Sequence, residues 1–406
     1  MAKIFLPKYF KMEVVLKKFC SKKIDSCGLC FFVALFLMGF SIFSVSCKMT
    51  AEGIISASDD VESPILLDFS QDSAESLSLS FTEAVQLSNL EVRSGNLSTI
   101  GELVLSQNHM VVEPIPFQTS RDSQSVEATN AEAVGTCVQV VFTESQKLEM
   151  GATYIFSGIA HDQEGNSLLF QVPFYGFNRN VAGVVLSEVS SEYDKPKVEF
   201  IELYVHRSGN LAGIELYSVN KNFEYVFPAV EVSAGEYIVL HMRTLEDESG
   251  HVDELDNNLS ASTASDSCTG VRDLWVSSTS EIIGTSDVLV LRERAKGKLM
   301  DALLYISPKV SDTSKKKILP AGEDVIAEGG WIAGEDGESW LSSDGMTTVN
   351  RSLSRQNILE IQQAATALQE IPVASKDAWI VTMNHKQTKE PGVTPGLPNS
   401  STKYTK

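Results

Sequence analysis

The chain has 406 residues, 43% of them hydrophobic, with 33 Lys and Arg against 53 Asp and Glu for a formal net charge of −20. That apolar content excludes a wholly disordered chain and leaves room for two or three domains, while the acidity argues against contact with nucleic acid or anionic headgroups. Cys20, Cys27, Cys30 and Cys47 crowd the N-terminal region, so only Cys137 and Cys268 remain in the body and a disulfide framework is excluded.

At the N-terminus, Lys8, Lys11, Lys17, Lys18, Lys22 and Lys23 precede an apolar run from Gly28 to Val45, which ends in Ser44, Ser46 and Cys47. This order resembles a bacterial lipoprotein signal peptide. The resemblance implies cleavage before Cys47, lipidation of Cys47, and a mature chain that is membrane-anchored in the cell envelope, outside the cytoplasm. A strict signal has Leu three positions before the cysteine, where Ser44 stands; lipoproteins of the spirochaete kind tolerate such a departure. The run is also just long enough to cross a bilayer, so an uncleaved anchor and ordinary secretion stay open. Met12 is an alternative start that would shorten the basic segment. Residues 1–46 hold seven Lys against Glu13 and Asp25, so their removal takes the mature chain to about −25. The Cys27-Gly-Leu-Cys30 spacing mimics a redox motif, but it lies in the apolar run.

Residues 47–63, rich in Ala, Ser, Asp and Glu, read as a flexible tether. From about residue 64 to 180 the pattern is that of short strands. Leu77, Leu79 and Phe81 alternate with Ser78 and Ser80; Val138, Val140 and Phe142, then Tyr154 and Phe156, then Leu169 and Gln171 follow. The segment Gln118–Glu132 reads as a loop insertion. Ser78–Val85 and the run Leu148–Leu168, with Gly151-Ala-Thr153-Tyr154 and Asp162-Gln-Glu-Gly165-Asn166, resemble bacterial Ig-like domains of surface-layer proteins. That resemblance implies a β-sandwich in which Gly165-Asn166 supplies the positive-φ positions of a tight turn.

Residues 183–400 carry a second set. Val184–Val189, Val198–Tyr204, Leu211–Tyr217, Tyr225–Pro228, Gly235–Leu240, Asp287–Leu291 and Asp301–Tyr305 read as strands. Their order resembles the lamin-tail domain, as do Ser352-Leu-Ser-Arg355, Trp379 and Thr394-Pro-Gly-Leu-Pro-Asn399. The chain departs from that pattern at Phe200, where Trp is common, and at Val205, where Asn is frequent. Extra sequence at about 306–350, with Lys315-Lys316-Lys317 in an exposed loop, reads as an insertion. Arg355–Glu370 reads as an amphipathic helix with Ile358, Ile361, Ala365 and Leu368 on one face. The expected fold class is therefore all-β: two tandem Ig-like β-sandwiches behind a signal segment, with one short helix near the C-terminus.

No motif carries catalysis. The histidines His109, His161, His206, His241, His251 and His385 form no metal-ligand spacing, and no nucleophile elbow occurs. His161-Asp162 reads as turn chemistry, and His241 as a half-buried strand end. The acidic run Glu246–Asn258 offers oxygen ligands for Ca²⁺, yet its spacing is not that of an EF-hand and it reads as a solvated loop. Glu199 and Glu202 have opposite parity on one strand and so point to opposite faces; with Glu188 they read as ordinary strand positions. Trp331 and Trp340 read as caps on the sandwich end, with partner stacking as the alternative. No cofactor is expected. The expected function is non-enzymatic: an envelope lipoprotein held to the membrane through a lipid on Cys47, binding an unidentified protein or envelope partner and no nucleic acid. The alternative is an accessory or divergent relative of exported metal-dependent nucleases and phosphatases, because bacterial lamin-tail domains often accompany such enzymes.

Overall fold

Alternating apolar positions build the first sandwich, and one irregularity lets a single strand serve both of its layers. The computed structural model describes residues 49–50, 53–54, 62–115, 135–247, 249–386 and 389–406. The signal segment, Cys47 and the insertion Gln118–Glu132 lie outside the described residues. Met49–Thr50 and Gly53–Ile54 form a small antiparallel pair.

Strand β1 (Leu66–Gln71) leads to the 21-residue β2 (Ser76–Asn96), followed by β3 (Thr99–Ser106), β4 (Met110–Pro114), β5 (Gly135–Phe142), β6 (Thr153–His161) and β7 (Ser167–Tyr175). The first half of β2 pairs with β1 and β5, and β5 with β4; the second half pairs with β3 and β6, and β6 with β7. In β2 the buried residues run Leu77, Leu79, Phe81, Val85 and Leu87, then switch parity to Leu90 and Val92. The switch falls at a register shift between Ser88 and Glu91, where Asn89 takes a φ of 52°. An inserted residue is a β-bulge, and Asn tolerates the left-handed region better than most residues. The core is then closed by Phe142, Tyr154, Phe156, Phe170 and Phe174. In the β6–β7 turn only Gly165 has positive φ, at 91°. Asn166 instead clasps Asp162, its backbone N–H and side-chain amide both donating to that carboxylate, at 2.7 and 2.8 Å.

The second sandwich has a six-stranded sheet in the order β13 (Arg272–Trp275), β12 (Tyr237–His241), β9 (Phe200–Arg207), β8 (Gly183–Ser190), β17 (Leu353–Arg355) and β18 (Trp379–Val381). Against it lies a five-stranded sheet in the order β11 (Phe223–Val226), β10 (Glu215–Ser218), β14 (Asp287–Arg292), β15 (Leu299–Ile306) and β16 (Leu341–Ser342). Their apolar faces meet in one core that includes Leu186, Leu203, Leu240, Leu289, Leu303 and Tyr305.

Among the described residues there are two α-helices rather than one. Lys315-Lys316-Lys317 lies not in a loop but in α1 (Asp312–Ala327), whose start is capped by the Ser311 hydroxyl accepting from the Ser314 N–H at 3.1 Å. Ile318, Gly322 and Val325 face inward. Gly322 is required there, since a Cβ would stand 2.6 Å from the Trp340 ring. The later helix, α2 (Ile358–Thr366), is shorter than its apolar pattern implies: Arg355 ends a strand, and Leu368 sits beyond the helix at φ 55° and 95% exposed. Ile361 alone of that stripe is fully buried, against Val185 and Tyr204.

Residues 62–406 form one compact unit containing both cores. Between the sandwiches Glu75 pairs with Arg179 at 2.6 Å, Asp68 pairs with Lys296, and Gly151 packs on Ala212 and Ala229.

Candidate functional site

The polar residues singled out from sequence fall into two groups: those that hold the fold and those that reach a surface. The acidic run belongs to the first. Asp247 pairs with Lys195, and Asp253 accepts the Trp275 N–H at 2.7 Å. Buried Glu254 accepts the N–H groups of Ala261, Ser262 and Asp273 at 2.9 to 3.1 Å. Asp256 accepts from the Asn258 N–H at 2.8 Å. The run is a mostly exposed loop, as its composition suggests, and buried Glu254 organises it from within. Among the described residues, Glu83, Asp162 and Glu164 are the close carboxylate group, with Asp162 engaged by Asn166.

His241 is fully buried rather than half-buried. Its Nε2 lies 2.8 Å from Asp273 and its ring stacks on Trp275 at 3.8 Å. His161 Nε2 meets the Ser88 hydroxyl at 3.0 Å. Trp331 is a core residue whose indole N–H donates to the Ser339 carbonyl. Cys137 and Cys268 are free thiols in different sandwiches, and burial pushes the Cys268 thiol up.

Glu199 and Glu202 do point apart: Glu199 forms a buried ion pair with Arg243, at 2.8 Å through its Nε. They are not ordinary strand positions, however. Glu202 stands directly across from Glu188 in the β8–β9 register, and both are fully buried. Glu188 accepts from the Ser352 hydroxyl and from the Thr394 N–H and hydroxyl, at 3.1 to 3.2 Å for Thr394. Glu202 accepts from the Gly396 N–H at 2.5 Å, and its Oε1 lacks a partner. Burial raises the Glu188 carboxyl to about 7 and that of Glu202 well above the usual range, with Glu188 adding to the latter. Two like charges so placed cannot both persist; the donor count puts the charge on Glu188 and the shared proton on Glu202. The pair anchors residues 394–396 to the sheet. Its geometry is that of a structural clasp.

The surface group converges at the junction of the sandwiches. A cleft of about 420 Å³ lies there, lined by Phe69, Phe174, Tyr175, Phe177, Val226 and Glu224 among others. The end of β7 supplies Tyr175, the linker to the second sandwich supplies Phe177, and β11 supplies Glu224 and Val226. Such a volume suits a small ligand, and apolar walls with a few polar groups are what recognition sites use. Solvent reaches Glu224, yet its surroundings desolvate it and hold its carboxyl above the ordinary value. Glu215 on the neighbouring strand is raised to about 7, first by burial and then by Glu224. Burial, then Glu224 and Glu215, also raise the Tyr175 phenol. A larger groove of about 600 Å³ beside His206 is more polar, and two of its acids, Asp301 and Glu328, are paired with Arg355 and Arg292. Burial, followed by Arg207 and Arg355, lowers His206 to about 4.

None of the cleft residues stood out in sequence. The one available signal was Glu224, an acid inside a strand pattern where polar outward positions are unremarkable.

Residues 182–381 match the family model TP_1001_2nd, described as a protein second domain. An uncharacterized protein of Treponema pallidum (strain Nichols) is 32% identical over 198 residues, 46% of this chain and 50% of that one. The chain thus spans about half the length of this curated relative. A crystal structure of a DUF4876 family protein from Bacteroides thetaiotaomicron VPI-5482 aligns over 78% of this chain and 97% of its own, at 11% identity and a TM-score of 0.29.

Proposed function

We propose that this protein is a non-enzymatic binding protein of a bacterial cell envelope, held at a membrane by a lipid on Cys47, with the cleft between its two sandwiches as the contact site. The observation that carries the reading is that cleft: aromatic side chains of the first sandwich and the linker, facing Glu224 and Val226 of the second sandwich, wall a cavity of ligand size. The order of basic segment, apolar run and Cys47 supports the anchor. The strand pattern of residues 183–400 and its closing Thr394–Asn399 motif support a lamin-tail-like second sandwich, and the pattern of 64–180 an Ig-like first one. On this reading the acid chain contacts no nucleic acid.

Mass spectrometry of the native protein tests the anchor. A diacylated or triacylated N-terminal peptide beginning at Cys47 is expected; an intact segment 1–46 overturns it. Incubation with nucleic acid and phosphoesters, with and without divalent metal, tests the absence of catalysis. Turnover that a chelator abolishes would replace the binding role with that of a metal-dependent hydrolase.

A further inference from the structure

Charge is balanced in the cleft between the sandwiches, but hydrogen bonding is not. Its lining holds Glu224 and Glu293 against Arg294 and Lys296. Arg294 pairs with Glu293 at 2.8 Å, and Lys296 pairs with Asp68. The lining sums to no net charge, so the cleft has little by which to select an ion. Its polar groups are a different matter. The Gln71 Nε2 is buried and has no hydrogen-bond partner. The Tyr175 hydroxyl and the Glu224 carboxylate also have none among the described residues. Asn96 accepts the Ser98 and Thr99 N–H groups at 2.9 and 3.0 Å through its amide oxygen, which leaves its amide nitrogen.

These donors and acceptors come from β1, β2, β7 and β11, and they surround the aromatic side chains of Phe69, Tyr175 and Phe177. A buried donor without a partner is costly, and an acceptor placed in the cleft would relieve Gln71. An alkyl chain would leave that donor unpaired. A sugar ring meets both conditions. Its C–H face packs on aromatic carbon, and its hydroxyls, each a donor and an acceptor, radiate from the ring edge. A peptide segment instead sets its polar groups along a line, whereas here they encircle the aromatic wall. Resting on the reading of the cleft as the binding site, we propose that it takes an uncharged sugar, as part of a short oligosaccharide, with a ring face against Phe69 and Tyr175 and hydroxyls that accept from Gln71 and donate to Glu224.

Titration calorimetry and saturation-transfer NMR test this on the full chain, in a detergent without a sugar headgroup. At least one of maltose, cellobiose and diacetylchitobiose is expected to bind. Glucosamine and glucuronic acid should bind no more tightly than N-acetylglucosamine and glucose; preference for a charged sugar overturns the uncharged ligand. Gln71→Leu should weaken the sugar by about threefold to tenfold, the worth of one hydrogen bond. It should not lower the Tm, because it removes an unpaired buried amide. Tyr175→Ala should weaken the sugar by about tenfold or more, since a ring contact and a hydroxyl go together, while Glu164→Gln on the first sandwich should leave binding unchanged. Should Tyr175→Ala fail to fold, Gln71→Leu, which keeps the side-chain size, decides alone. Sugar binding that neither variant weakens lies outside the cleft and overturns the assignment. Benzyl alcohol and acetyl-Phe-Gln-Phe-amide complete the set. Binding of either one, with no sugar bound, overturns the sugar and keeps the cleft. Binding of no probe overturns the cleft as a site altogether.

Discussion

Glu188 and Glu202 show how much a single register can decide. Each is an acid in a buried strand, and their cost depends on the donors that residues 352 and 394–396 bring. Both carboxyls are raised above the value of an unfolded chain, so the folded state holds more protons. Their stabilising contribution is fully present below the unfolded value, near 4.5, and is lost as pH rises through about 7. Glu215 at about 7 and Asp287 at about 6 share that sign. His206, lowered to about 4, has the opposite sign, but most of its effect lies below pH 6.5. Urea unfolding should therefore give a lower midpoint at pH 8 than at pH 6.5; a higher one would refute the proton assignment. Thr394→Val removes a hydroxyl donor to the charged Glu188 and should cost about 1.5–3 kcal/mol at pH 8 in the same measurement.

At the scale of elements, the two helices obey packing more than propensity. Gly322 lies inside α1, where alanine is ordinarily better by about 1 kcal/mol. Here the added methyl meets the Trp340 ring, so Gly322→Ala should destabilise by about 1–3 kcal/mol, measured by thermal unfolding. Ile361 is the one residue of α2 that is wholly buried, and Ile361→Ala should cost about 2–5 kcal/mol. Leu368→Ala, at 95% exposure, should cost little by comparison. The amphipathic stripe of this segment was legible, but its end was not: the chain leaves the helix before Leu368 because Ala367 and Leu368 bond back to Gln363 and Ala365 in a closing turn. Lys315-Lys316-Lys317 reads as an exposed loop from its charge alone, whereas burial of Ile318 and Val325 sustains a helix there, with Pro320 inside it.

Across the whole molecule, two cores share one compact unit, and the contacts between them differ in kind. The Glu75–Arg179 and Asp68–Lys296 pairs are solvent-exposed, so Glu75→Gln or Asp68→Asn should each shift stability by less than about 1 kcal/mol. Gly151 is a different matter. It has a φ of 73°, and a Cβ there would lie 2.9 Å from Ala212 and 3.0 Å from Ala229. Gly151→Val should disturb the seat of one sandwich on the other and shift the amide NMR signals of Ala212 and Ala229; unchanged signals would show that the junction does not depend on this contact. The cleft depends on the same seating, because its walls come from both sandwiches.

The local pattern by itself determined the all-β class and most of the strands. Alternation such as Leu77, Leu79 and Phe81 reflects only which side of a pleated strand meets the core, and neighbouring residues carry that information. The tertiary structure alone decided which acids meet. Glu188 faces Glu202 because of a register shift between Leu186 and Glu188, and Glu224 approaches Tyr175 because one sandwich seats on the other. Those pairings join residues far apart in the chain, and their energetics follow from burial and missing counter-charges, which belong to the folded surface rather than to any segment.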